Sequence, residues 1–113
     1  MTLAGVSTLF FTSTNSYTGA TTITSGVLAT TSSNALGTSA GTGTSSVNVL
    51  SGGALSINAG GLNNPNTITI AGTGLSATQN AALYITGIAA TLSNPILVSA
   101  DSRIYSTVTT AFN

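Results

Sequence analysis

Apolar and polar residues alternate one by one in short runs along most of this chain. Val47 and Val49 share one face of residues 46–50, and Leu55 and Ile57 one face of 54–58. Ile68 and Ile70 do the same in 66–70, Leu83 and Ile85 in 82–86, and Ile96 and Val98 in 95–99. In 102–106, Ile104 points inward, with Arg103 and Tyr105 outward. A period of two belongs to a strand with one face against a core. The first third is looser. Residues 8–12 put Leu9 and Phe11 on one face and Thr8, Phe10 and Thr12 on the other; 21–24 has Ile23 inward, and 27–31 has Leu28 inward. No stretch repeats apolar residues at i, i+3, i+4 and i+7 between helix caps, so helix content near zero is expected.

Corners separate these runs. The first is Asn15-Ser16-Tyr17-Thr18-Gly19, followed by Ser25-Gly26, Ser51-Gly52-Gly53 and Asn63-Asn64-Pro65. Residues 32–45 are polar and rich in Gly, Ser and Thr, which predicts a loop, its centre at 37–45. The strands recur at two steps. Val47 to Leu55 and Ile96 to Ile104 are each 8 residues, whereas Leu55 to Ile68 and Leu83 to Ile96 are each 13. Val47 to Ile68 is therefore 21 and Ile68 to Ile96 is 28. Such spacing suits a solenoid of short strands joined by unequal corners, in which stacked coils build parallel sheets over one aliphatic core. An antiparallel sandwich is the rival, but its hairpins favour Asn-Gly or Asp-Gly turns, and the chain has neither pair.

The stretch NSYTGATTITSGVLATTSSNALG resembles the passenger-associated, or autotransporter-associated, β-strand repeat. Asn15, Tyr17, Thr18, Gly19, Thr21, Thr22, Ile23, Gly26 and Leu28 fall on that family's pattern. The later segments SSVNVLSGGALSIN and 66–106 are similar to the strands and spacer coils that accompany such repeats. One departure is Thr30, where the family places an aliphatic residue, so looser packing of the first coil is expected. The resemblance implies a right-handed parallel β-helix over residues 1–113, with the repeat at 8–36 and further coils at 46–113. It also implies a place in a long secreted passenger at a bacterial surface. A transmembrane barrel and an export signal would then lie outside these residues.

Composition narrows the function. Of 113 residues only Asp101 and Arg103 are charged, 2% of the chain, against roughly a quarter in ordinary domains. Without a Lys/Arg cluster, neither nucleic acid nor an anionic membrane has an electrostatic handhold. No apolar run approaches the roughly 18 residues of a spanning helix. Histidine, cysteine and glutamate are absent. Paired carboxylates, a Cys/His pair and a Ser/His/Asp triad are therefore impossible, and no enzyme activity, cofactor or metal is expected. Calcium would need more than Asp101 and neutral oxygens. Gly41-Thr42-Gly43 and Gly72-Thr73-Gly74 look like fragments of phosphate loops. Neither opens a helix or precedes a Lys, so both read as corners.

What remains are surfaces. Phe10, Tyr84, Leu97 and Tyr105 alternate with inward residues and so form an expected outward contact set, unless loops such as 32–45 cover them. The leading functional reading is a structural or adhesive solenoid segment whose partners are copies of itself, stacked end to end, or neighbouring coils. The alternative is an ice-binding or glycan-binding face, with Thr22-Ile23-Thr24 and Thr67-Ile68-Thr69 as candidate water-ordering rows.

Overall fold

The computed structural model describes residues 1–17, 19–36, 46–59, 67–74, 80–86, 90–92, 95–108 and 110–112. Thr18, the expected loop at 37–45 and the corner Asn63-Asn64-Pro65 lie outside the described residues.

Among those described there is no helix, and there are twelve strands. They are β1 (Thr2–Leu3), β2 (Thr8–Phe11), β3 (Thr21–Ile23), β4 (Gly26–Thr30), β5 (Val47–Val49) and β6 (Gly53–Ile57). The others are β7 (Ile68–Gly72), β8 (Leu83–Ile85), β9 (Ala90–Leu92), β10 (Ile96–Ser102), β11 (Ile104–Ser106) and β12 (Thr110–Phe112). Nine of these match the runs expected from alternation, eight to within two residues and β10 running three residues past its expected end. β1, β9 and β12 are additional: Thr2-Leu3, Ala90-Thr91-Leu92 and Thr110-Ala111-Phe112 each carry a single large apolar residue at one end, which sets up no alternation.

The chain visits one sheet and then the other in successive passes. Sheet A has the order β1-β3-β5-β7-β10, and sheet B the order β11-β8-β6-β4-β2; β12 and β9 form a third pair. Every pairing is parallel. The registers reproduce the sequence spacings. Val47 pairs with Ile68 and Ile68 with Ile96, the intervals of 21 and 28. Like residues therefore lie over like. One inward column of sheet A is Leu3, Ile23, Val49, Ile70 and Val98. The matching column of sheet B is Leu9, Leu28, Leu55, Leu83 and Ile104.

The interior of these columns forms the core: Ile23, Leu28, Val49, Leu55, Ile70 and Leu83 are all buried. The end members are a correction to the simple in/out reading. Leu9, Val98 and Ile104 keep the inward register but are 38%, 56% and 41% exposed. Each lies on an edge strand, where no further strand covers it from one side. Leu36 and Ala35 are a second correction. They belong to the segment expected to be a covering loop, yet both are buried and Leu36 packs into the core.

Corners set the approach of the sheets. Gly26 opens β4 at φ 84°, in the left-handed region that L side chains rarely adopt. A Cβ there would stand 2.8 Å from the Ser7 carbonyl oxygen and 2.9 Å from that of Gly5. Its register partner Gly53 passes equally near the pass below, where a Cβ would meet the Ile23 carbonyl oxygen at 2.7 Å. Two stacked glycines thus let the corner between the sheets close.

Candidate functional site

The repeat-like residues build a structural joint. Asn15 reaches the next pass twice: its backbone N–H donates to the Asn34 carbonyl at 3.1 Å, and its side-chain amide donates to the Ala35 carbonyl at 2.7 Å. Tyr17 and Thr21 hold hydroxyl to hydroxyl at 2.8 Å. Thr21 is a buried polar residue with an inward position, in the column of Val47, Ile68 and Ile96. A buried hydroxyl without a partner costs free energy, and Tyr17 supplies the partner. Partial burial of Tyr17 raises its phenol above the ordinary range, and the bond to Thr21 lowers it by less. Thr22 faces outward on sheet A, half-buried, while Ile23 and Leu28 are in the core and Gly26 makes the corner. Gly19 is exposed and has open space around its α-carbon.

The expected loose spot at Thr30 is fully buried. Its column runs Phe11, Thr30, Ile57 and Ile85. The hydroxyl donates to the Ser56 carbonyl on the neighbouring strand at 3.5 Å, the long limit of such a bond.

The outward contact set divides. Phe10, Ala29, Ser56, Tyr84 and Tyr105 occupy one row across sheet B. Tyr84 and Tyr105 are register partners with ring centroids 5.6 Å apart and planes tilted by 58°, a favourable aromatic geometry. The Tyr84 hydroxyl also donates to Asn80 Oδ1 at 3.3 Å. Phe10 stands at the opposite edge of the same row, beyond the small residues Ala29 and Ser56. Leu97 is on sheet A, at the end of the row Thr2, Thr22, Asn48, Thr69 and Leu97. Phe10, Leu97 and Tyr105 are exposed, and Tyr84 is half-buried. The structure thus brings Tyr84 and Tyr105 together, and separates them from Phe10 and Leu97.

The same row on sheet A bears on water ordering. Thr2 and Thr22 are neighbours, but Asn48 parts Thr22 from Thr69 and the row ends in Leu97, so threonine does not run through every pass.

Exposed large apolar side chains concentrate at the two ends of the stack. Met1, Val6, Leu9 and Phe10 belong to the β1–β2 pass, and Leu97, Val98, Ile104 and Tyr105 to the β10–β11 pass; among the described residues Leu50 is the exception. Alternation assigns a face to each residue but does not say how far the edge strands leave it uncovered. Asp101, near the end of β10, and Arg103, between β10 and β11, are both exposed. Among the described residues no three His, Cys, Asp or Glu side chains gather as a metal site would require, and no helix is long and apolar enough to cross a membrane. No protein-family model, curated protein or solved structure matches the chain.

Proposed function

We propose that the chain is a non-catalytic structural segment, a right-handed parallel β-helix that extends by stacking against further coils or further copies of itself. The supporting observation is the pairing of two five-stranded parallel sheets with apolar residues exposed on both edge passes. Edge strands present unpaired N–H and C=O groups that act as templates for another chain. Near-zero charge removes repulsion between copies. A contact between the two different ends is heterologous, and repeated without closure it makes a filament.

The resemblance of the segment around Asn15–Leu28 to passenger repeats extends the proposal to location: an extracellular or bacterial-surface protein in which such segments act as stalk, spacer or adhesive fibre. No cofactor, nucleic acid or membrane insertion enters this function. The interrupted threonine row favours stacking over ice binding.

Sedimentation velocity over a concentration series tests the proposal. A weight-average sedimentation coefficient that rises with concentration is expected. A strictly monomeric chain at the highest attainable concentration contradicts it.

A further inference from the structure

We propose that Tyr84 and Tyr105 are a modification site, where a one-electron oxidant joins the two rings of a single chain as dityrosine. Oxidants of this class include a haem peroxidase fed with hydrogen peroxide and a photo-excited metal complex with persulfate. The site goes beyond the structural role above and does not depend on it. Both tyrosines stand on strands already paired with each other, so their contact exists in one chain whatever adjoins it.

Position carries the inference first. Tyr84 and Tyr105 are register partners on β8 and β11, flanked by the pairs Leu83–Ile104 and Ile85–Ser106. Neighbouring strands stand about 4.8 Å apart, so this register keeps the rings side by side. Their centroids are 5.6 Å apart and their planes tilted by 58°, a separation at which ring edges touch. The Tyr84 hydroxyl donates to Asn80 Oδ1 at 3.3 Å, which anchors the half-buried ring. Tyr105 is 43% exposed. Both rings belong to the outward row of sheet B, on a face that strand pairing leaves open to a small oxidant.

Composition carries it second. The chain has no Cys, Trp or His, one Met and three Tyr. Methionine gains oxygen to become the sulfoxide, which couples nothing. One-electron oxidation therefore ends on tyrosine. Tyr17 leads into β3 on the other sheet, with its hydroxyl bonded to Thr21 at 2.8 Å. Of the three tyrosines, Tyr84 and Tyr105 are the two in ring contact.

In the coupling, each phenol loses one electron and one proton and becomes a phenoxyl radical. The radicals join through a carbon–carbon bond between ring carbons adjacent to the oxygen-bearing ones. Each bonded carbon then releases its hydrogen as a proton and each oxygen takes one up, which restores both aromatic rings. One C–C bond replaces two C–H bonds, and two electrons and two protons leave. Hydrogen peroxide would take them to become two waters; persulfate takes the electrons to become two sulfates. The product is a covalent rung that bars β11 from peeling away from β8.

Arg103, the sole Lys or Arg of the chain, lies between the two tyrosines in sequence. Trypsin therefore cuts the denatured chain into residues 1–103 and 104–113, and a Tyr84–Tyr105 bond holds the pieces together. The test uses persulfate with a light-activated ruthenium complex, which acts in denaturant as well as in buffer. The chain is oxidised at a dilution where sedimentation shows single molecules, then denatured, cut and weighed by mass spectrometry, with dityrosine fluorescence giving the yield.

The expected product has the mass of one chain less two hydrogen atoms, and its tryptic pieces stay joined. Tyr84→Phe and Tyr105→Phe, which keep a ring at each place, should lose the bond and the fluorescence. Tyr17→Phe, made with Thr21→Val so that no buried hydroxyl is left without a partner, should keep both. Oxidation in denaturant, where the register is gone, should give little of the joined product. Tryptic pieces that separate, a bond that survives Tyr84→Phe or Tyr105→Phe, or equal yields with and without denaturant would each overturn the proposal.

Discussion

Tyr17 and Thr21 show how a polar residue is tolerated inside an aliphatic column. The parity of residues 21–24 already places Thr21 on the same face as Ile23, but its hydroxyl disguises an inward position. The signal lay four residues upstream, in a tyrosine long enough to answer it. Tyr17→Phe should destabilise the chain by about 1–3 kcal/mol, the usual cost of leaving a buried polar group unpaired. Thr21→Val removes that need and extends the column of Val47, Ile68 and Ile96, so Tyr17→Phe on that background should cost far less. Denaturant midpoints of the four variants check this, and equal costs on both backgrounds would contradict it. The pH dependence follows from the same group. Burial raises the folded-state phenol pKa, so the folded chain holds this proton more tightly than the unfolded one. Its contribution is intact below the unfolded phenol value near 10 and is lost as pH rises through the folded value. Stability should therefore fall above about pH 10 more steeply in the parent chain than in Tyr17→Phe, as thermal melts against pH would record.

At the level of the strands, facing determines which positions matter. Ile68 is fully buried, and Thr67 beside it is half-buried on the outside. Ile68→Ala should cost about 2–5 kcal/mol through lost transfer energy and a cavity. Thr67→Ala should stay within about 0.5 kcal/mol. Equal shifts in denaturant midpoint would mean the facing is wrong. The corners are equally demanding: Gly26→Ala must accept a left-handed backbone and a Cβ 2.8 Å from a carbonyl oxygen. A loss of about 1–3 kcal/mol or more is expected, measured the same way. Alternation made nine strands legible because inward apolar residues there alternate with outward ones over four or more residues of sequence. It could not reveal β1, β9 or β12, where a single large apolar residue stands at one end of the strand. Nor could it place Leu36, which enters the core from a segment that reads as polar.

Across the whole molecule, the intervals of 21 and 28 residues carried the stacking order, since parallel registers align Val47, Ile68 and Ile96 at those separations. What sequence could not carry is how far each residue on the edge strands is left uncovered. Leu9, Val98 and Ile104 look like core residues by pattern, yet they lie on edge strands of the two sheets and are exposed. This difference between the middle and the ends of the stack is the physical basis for proposing assembly. Helical reconstruction of assembled material by electron cryo-microscopy tests that claim most directly. Each copy contributes five strands to sheet A and five to sheet B. With neighbouring strands about 4.8 Å apart, in-register stacking predicts an axial rise of about 24 Å per copy and continuous strand density across every junction. Discrete monomers, or a rise unrelated to five strand spacings, would contradict the account.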